Sequence, residues 1–323
     1  MKRIGVFTSG GDSPGMNACI RAVVRTGLHY SMEVMGIFEG YLGLVNNHLK
    51  KLDSHSVSNI IQTGGTILKS ARCAEFRTKE GRQKAYQNIK SAGLEGIVAI
   101  GGDGTFTGAD IFMKEYPDVN IVGCPGTIDN DLYGTDFTIG YDTAVNTAMD
   151  AIDKIKDTAN AHSRLFFVEV MGRDVGFIAL RSGIATGAEA VLVPESKTDY
   201  NELIENINKQ WLHKRRSIIV VVAEGDEMGG AVKVAKMVSQ QFKSLEPRVT
   251  ILGHIQRGGK PTATERVNAS LMGLEAVKAL KNGKKGIMIG VMNNQVAFTP
   301  FEKAIKHHQV MSPSLLEMVS ILA

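Results

Sequence analysis

No two cysteines of this chain stand close together in the sequence. Cys19, Cys73 and Cys124 are the three it has, with no C-x-x-C pair, which leaves no disulfide framework and no zinc knuckle to expect and suits a reducing cytoplasm. Long apolar runs are missing too. Met1-Lys2-Arg3-Ile4-Gly5 leads straight into a strand-like segment whose apolar part is too short for a signal peptide or a membrane span, so the expectation is a cytoplasmic protein with no membrane contact. Nor is there an excess of one charge. The formal net charge is +4 and acidic and basic residues are mixed, which argues against a nucleic-acid or membrane-surface partner. There is no low-complexity tract, no Pro/Ser linker and no fixed-period repeat, and composition alone places no domain boundary.

What is present is the material of a large core. Of 323 residues 43% are hydrophobic, and the 35 glycines cluster in pairs: Gly10-Gly11, Gly64-Gly65, Gly101-Gly102, Gly229-Gly230 and Gly258-Gly259. Short β-branched runs recur at residues 4–7, 97–100, 120–123, 165–171, 190–193, 217–223, 249–252 and 287–291. Most are apolar on both faces, as strands covered on each side must be. Helical patterns lie between them, over 16–30 (Ile20, Val23, Val24, Leu28) and 143–156 (Val145, Ala148, Met149, Ile152, Ile155). The alternation predicts a parallel, doubly wound α/β sheet, with ligands at the carboxyl ends of the strands. Residues 41–82 read as polar and irregular, a decoration of that sheet.

Three strand ends carry the chemistry. After the first comes Thr8-Ser9-Gly10-Gly11-Asp12-Ser13-Pro14-Gly15, then a helix, an arrangement suited to an anion held by backbone amides and the helix dipole. It is neither of the two commonest nucleotide fingerprints, and a glycine-rich turn needs no ligand. Ile100-Gly101-Gly102-Asp103-Gly104-Thr105 frames one carboxylate with glycines, open for a Mg²⁺ beside a phosphate, although an ordinary turn has the same composition. Pro125-Gly126-Thr127-Ile128-Asp129-Asn130-Asp131 sets two carboxylates two apart. Extended backbone would point both the same way, whereas a solvated turn would use the same residues. Basic groups follow in Met171-Gly172-Arg173 and His254-Ile255-Gln256-Arg257, with Arg164 and Arg248 each just before a strand-like run. Converging arginines suit a sugar phosphate, while a lone one is usually solvated. Glu224 ends an apolar strand, where it caps a helix, pairs with a base or accepts from a sugar hydroxyl.

In their order along nearly the whole chain, TSGGDSPGMN, GGTILKSAR, IGGDGT, PGTIDND, VEVMGR and LGHIQRGG resemble the ATP-dependent 6-phosphofructokinases of bacteria. The resemblance implies two similar Rossmann-like three-layer α/β/α lobes with mainly parallel sheets and the active site in the cleft between them, in a homotetramer. The ATP-binding lobe would be residues 1–140 plus about 256–306, and the fructose 6-phosphate-binding lobe 141–255 plus about 307–323. The implied reaction moves the γ-phosphoryl of MgATP to the 1-hydroxyl of fructose 6-phosphate. Gly11, Arg72, Cys73 and the loop Gly102, Asp103, Gly104, Thr105 match the ATP side, with Asp103 at the metal. Thr127, Asp129 and Asp131 match the catalytic group, Asp129 as general base and Asp131 for positioning or the metal shell. Met171, Gly172, Arg173, Glu224, His254 and Arg257 correspond to the sugar-phosphate pocket, and Arg164 and Arg248 to residues reaching in from a neighbouring subunit.

Relatives that use pyrophosphate resemble this pattern but carry Asp at 104 and Lys at 126; both positions here are glycine, which favours ATP. Arg21, Arg25, Lys156, Gly187, Glu189, Arg215 and Arg216 match a site for ADP or phosphoenolpyruvate as effectors. There Ser54 replaces an Arg and His213 a Lys, which implies weakened or pH-sensitive control. A run such as Lys214-Arg215-Arg216 is also what a solvated helix end looks like. NAD and diacylglycerol kinases share a GGDG-like loop but lack PGTIDND and HIQRGG in these places. A non-catalytic, nucleotide-sensing homologue would have lost groups such as Asp103, Asp129, Arg173 or Arg257, all of which are present.

Overall fold

The computed structural model describes residues 1–162, 164–197, 199–212, 217–242, 246–307 and 309–322. Its strands are β1 (Arg3–Thr8), β2 (Glu33–Ile37), β3 (Leu49–Leu52), β4 (Gly96–Gly101), β5 (Ile121–Thr127), β6 (Ile139–Gly140), β7 (Arg164–Val170), β8 (Ala190–Leu192), β9 (Ser217–Ala223), β10 (Arg248–Ile251), β11 (Ile287–Met292) and β12 (Gln295–Pro300). The helices are α1 (Met16–His29), α2 (Tyr41–Val45), α3 (Lys79–Ser91), α4 (Asp103–Glu115), α5 (Tyr141–His162), α6 (Phe177–Thr186), α7 (Tyr200–Leu212), α8 (Ala231–Gln241), α9 (Ala263–Lys281), α10 (Phe301–Lys306) and α11 (Pro313–Leu322). The chain divides into two compact units, Met1–Thr143 with Arg257–Gln309, and Ala144–Gln256 with Val310–Ala323.

The first unit holds an eight-stranded sheet in the order β12-β11-β5-β4-β1-β2-β3, with β6 paired to the end of β5. From β11 to β2 neighbouring strands are parallel, and β12 and β3 join the edges antiparallel. Every residue of β4 is buried, which follows from helices on both faces. On one face α1 and α9 pack Ile20, Val23, Val24, Met272 and Ala276 against Val6, Val98 and Val122; on the other Phe7, Ala99 and Ile121 meet Tyr41, Phe106, Phe112 and Phe301. Two hydrophobic layers enclose one sheet because alternate residues of each strand serve opposite faces.

The second unit has a four-stranded, all-parallel sheet in the order β10-β7-β9-β8. Leu165, Phe167, Ile218, Val220 and Val222 face α7 and α8, and α6 lies against β7, β8 and β9. No helix among the described residues is long and apolar enough to cross a membrane.

Several parts of the first sheet escape the sequence pattern. Residues 41–82 are more than decoration: they contain α2 and β3, whose central Lys50 and Lys51 are exposed so that only its outer residues suggest a strand. Charged edge positions of this kind block pairing with other chains. β2 is interrupted by Gly36, and β12 has exposed or half-buried residues at all positions but Thr299 and ends at Pro300. Finally, β5 continues past Gly123 through Pro125 and Gly126 to Thr127, where Gly101 and Ile139 give it partners.

Candidate active site

Because β1, β4 and β5 are adjacent and parallel, the segments after Thr8, Gly101 and Thr127 leave the same edge of the first unit's sheet. Ser9 N donates to the Ile100 carbonyl at 2.9 Å and Thr105 Oγ1 to the Ser9 carbonyl at 3.3 Å, which ties the first glycine loop to the start of α4. A Cβ on Gly102 would stand 3.6 Å from Thr127 Cβ, so the second and third segments abut. The N-caps of α1 and α4 are Gly15 and Gly102, neither with a side-chain cap, and this leaves two helix-dipole ends to an anion. Asp103 is the first residue of α4 and half-buried, and Gly104 is exposed. Among the described residues no three metal-ligating side chains stand together. Asp103 offers one carboxylate, enough for a Mg²⁺ whose other ligands are phosphate and water oxygens.

The structure revises how PGTIDND works. Its Pro-Gly-Thr is the end of β5, and the chain then turns: Asn130 takes φ 57°, in the left-handed region, so Asp129 and Asp131 are not on one side of an extended strand. Asn130 is buried and holds the turn, its Nδ2 donating to the Asp136 carbonyl at 3.1 Å and to Gln309 Oε1 at 3.0 Å while its Oδ1 accepts from Thr138 N at 2.8 Å. Asn tolerates this conformation better than other residues with a side chain, so it anchors while its neighbours are presented. Thr127 Oγ1 accepts from Asp129 N at 3.2 Å, and Thr138 Oγ1 donates to the Thr127 carbonyl at 2.6 Å.

A cavity of about 350 Å³ opens between Gly10, Gly11, Asp12, Thr66, Lys69, Ser70 and Arg257. Arg257, matched by resemblance to the sugar-phosphate pocket, belongs to this first unit, where a Cβ on Gly11 would come within 2.9 Å of its Nη1. Thr66, Lys69 and Ser70 were missed as wall residues. The GGTILKSAR motif contains them, but only the fold lays that segment on the Gly10 loop, with Ser70 Oγ donating to the Gly10 carbonyl at 2.5 Å. Arg72 is exposed, and Cys73 packs its thiol against the aromatic core layer.

In the second unit β7 and β9 end side by side. Glu224 Oε1 accepts from Gly172 N at 3.3 Å and Arg173 N at 2.7 Å, and this holds Arg173 in a left-handed turn at φ 56°. The carboxylate is thus a brace for the Met171-Gly172-Arg173 turn, and a side chain at Gly225 would collide with the Arg173 carbonyl. Buried Gln256, which sequence reading passed over, receives Met171 N at 3.4 Å on its Oε1 and donates to the Gly253 carbonyl at 3.1 Å, beside exposed His254. Arg164 and Arg248 are the first residues of β7 and β10, and Arg248 pairs with Glu246 at 2.8 Å.

Of the effector residues, Lys156 and Gly187 meet: Lys156 Nζ donates to the carbonyls of Thr186 at 2.6 Å and Gly187 at 3.2 Å, capping the C-terminus of α6. Glu189 is buried and its Oε2 accepts from Ile219 N at 2.7 Å. Arg21 and Arg25 lie four residues apart on α1, and Ser54 is exposed in a turn closed by Ser58 Oγ on its carbonyl at 3.0 Å. His213, Arg215 and Arg216 lie outside the described residues.

Behind the first glycine loop sits a carboxyl that sequence reading missed. Thr262 caps α9 by accepting from Glu265 N at 3.1 Å, the N-cap half of a T-x-x-E pattern that was legible in principle, while Thr262 N donates to Thr143 Oγ1 at 3.3 Å rather than to the Glu265 carboxylate. Glu265 packs against Gly15, and its Oε2 accepts from Thr143 N and Oγ1, each at 3.2 Å. Burial outweighs these bonds and pushes its pKa up to about 7, well above the ordinary 4.5. The unfolded chain ionises this carboxyl near 4.5 and the folded chain only near 7, so its contribution is intact below the lower value and is lost as pH rises between the two. The loss is on the order of 3 kcal/mol. Unfolding measured from about pH 5 to about pH 8 should show that decline, and Glu265→Gln should flatten it; equal profiles for the two proteins would show that the carboxyl titrates like an exposed one.

Comparison with known proteins places these features in one setting. A family model described as phosphofructokinase matches residues 3–280. The chain is 52% identical over 323 residues to ATP-dependent 6-phosphofructokinase 2 of Bacteroides thetaiotaomicron, covering 100% of this chain and 99% of that one. It is also 52% identical over 323 residues to ATP-dependent 6-phosphofructokinase 1 of Thermus thermophilus, covering 100% of both. The T-state crystal structure of Pichia pastoris phosphofructokinase superposes with a TM-score of 0.90 at 38% identity over 94% of this chain, which spans only 35% of that longer one. A pyrophosphate-dependent phosphofructokinase from Marinobacter aquaeolei shares the fold, with a TM-score of 0.85 at 21% identity over 100% of this chain and 91% of that one.

Proposed function

The chain belongs to the phosphofructokinase family, and on that premise we infer that it is an ATP-dependent 6-phosphofructokinase, a phosphotransferase with an alcohol acceptor. It transfers the γ-phosphoryl of ATP to the 1-hydroxyl of fructose 6-phosphate, giving fructose 1,6-bisphosphate and ADP. The observation that carries this reading is the full-length identity to relatives of that activity, and the glycines at 104 and 126 agree with it.

Roles for individual residues are proposed from the geometry. Asp129 takes the proton of the 1-hydroxyl as its oxygen forms a bond to the γ-phosphorus and the bond from that phosphorus to the bridging oxygen of ADP breaks. Thr127 and Asp131 position the reacting groups. Charge on the phosphoryl group in flight is offset by the Gly10–Gly11 amides, Arg257 and Arg72, and by the dipole ends of α1 and α4. Mg²⁺, held through Asp103 and phosphate oxygens, would neutralise further negative charge. Met171, Gly172, Arg173 and His254 bind the sugar phosphate, with Glu224 bracing Arg173, and Arg164 and Arg248 act from a neighbouring subunit.

A cytoplasmic homotetramer regulated by ADP or phosphoenolpyruvate completes the proposal. The meeting of Lys156 with Gly187 supports an effector corner there, and Ser54 and His213 weaken it or make it respond to pH near neutrality. The test is one set of assays: formation of fructose 1,6-bisphosphate from fructose 6-phosphate with ATP or pyrophosphate, with and without each effector, beside the native mass. Turnover with ATP and a fourfold mass are expected. Activity with pyrophosphate alone would overturn the donor, and an active monomer would overturn the assembly.

A further inference from the structure

Lys69 stands on the wall of the cavity it shares with Gly10, Gly11 and Arg257, and two features set it apart. Its backbone lies in the left-handed region at φ 57°, where any residue with a Cβ other than Asn or Asp is uncommon and glycine is at ease. Its side chain is exposed, and among the described residues its ammonium makes no ion pair. The strained backbone is imposed from outside. Lys69 N donates to the Thr66 carbonyl at 3.2 Å, the Lys69 carbonyl accepts from Thr8 Oγ1 at 2.8 Å, and Ile67 N donates to Asn17 Oδ1 at 2.8 Å. A lysine in a position made for glycine costs stability, and an exposed one without an ion pair points to use of its charge.

The lining chemistry indicates which charge it meets. Of the seven residues around the cavity, Lys69 and Arg257 are cationic, Asp12 alone is acidic, and Gly10 and Gly11 leave backbone within reach of a ligand. That balance suits an anion of several oxygens. We propose that Lys69 is a further catalytic residue, whose ammonium contacts the oxygens of the phosphoryl group under transfer from the side opposite Arg257. The inference rests on the phosphotransferase reading given above. It adds a mobile point charge to a fixed guanidinium, and a flexible four-carbon stem can follow the group from donor to acceptor.

Strain and function predict opposite signs for one substitution. Lys69→Gly removes both the strain and the charge, so its melting temperature should equal or exceed that of the wild type while kcat with ATP and fructose 6-phosphate falls about 10- to 100-fold. Lys69→Gln keeps the strain and should lose turnover equally with no gain in melting temperature. Lys69→Arg should retain most of the activity. KM for fructose 6-phosphate should stay within about twofold throughout, and calorimetric binding of ATP without the sugar should weaken in Lys69→Gln. If neither turnover nor ATP binding changes by more than about twofold in Lys69→Gln and Lys69→Gly, the proposal is overturned. A wild-type enzyme that accepts only pyrophosphate would instead overturn the donor reading, and the same variants would then be judged with that donor, since the transferred group is common to both.

Discussion

Replacing Asp129 with Ser should lower kcat by at least about 10²–10⁴-fold while fructose 6-phosphate still binds within a few-fold of its wild-type affinity. An alcohol is a poor nucleophile, and the substitution removes the group proposed to accept its proton. The turn that presents Asp129 has ties that do not involve that carboxylate. It is held by Asn130, through the Asp136 carbonyl, Gln309 and Thr138 N, and by Thr127 Oγ1 on the Asp129 amide, so the backbone should survive the change. Steady-state kinetics beside equilibrium binding of fructose 6-phosphate checks the result. Equal losses in binding and turnover would mean that the residue holds substrate rather than moves a proton, and unchanged turnover would remove it from the mechanism altogether.

The second large effect is a loss of ATP use with no loss of fold. A Cβ added at Gly104 meets nothing within 4 Å, and position 104 lies in the first turn of α4, where a carboxylate is favoured by the helix dipole. Gly104→Asp should therefore keep or slightly raise the melting temperature. The same carboxylate would face the phosphates of ATP as a like charge at close range, a repulsion of several kcal/mol, and kcat/KM for ATP should fall on the order of 10²-fold or more. Gly126 is different. It is buried at the end of β5, and a Cβ there would stand 2.9 Å from Met16 Cε, 3.1 Å from Ile100 Cγ2 and 3.2 Å from Gly101 N. A lysine at 126 must displace that packing before it can offer charge, so the two glycines are not exchangeable as a simple pair. A Gly104→Asp enzyme with undiminished ATP kinetics would show that the nucleotide does not approach α4.

The central strands were legible because parallel strands covered on both faces have to be apolar throughout: the reading of residues 217–223 coincides with β9, and that of 97–100 lies within β4. Edge strands were not, because half of their positions face water and β3 offers solvent two lysines. Motif residues were found by type, but their jobs were not all legible. Asn130, read as the residue pointing away, is the anchor of its turn; Glu224, read as a sugar contact, also braces a strained Arg173; Gln256 and Glu265 carry no charge pattern that marks them for burial. Lys69 was invisible as a wall residue, since a left-handed backbone imposed by Thr8 and Thr66 is a property of the assembled loop.

By itself, then, the order of residues determined the α/β class and the family and supplied candidates for the active site, because strand periodicity, glycine-framed loops and the succession of six motifs are local in the chain. Only the tertiary structure decided which of those residues share a wall and which hold another in place. Gly11 meets Arg257 across 246 positions of sequence, and the pKa of Glu265 depends on Thr143 and on exclusion of water, both of which exist only once the strands have been laid side by side.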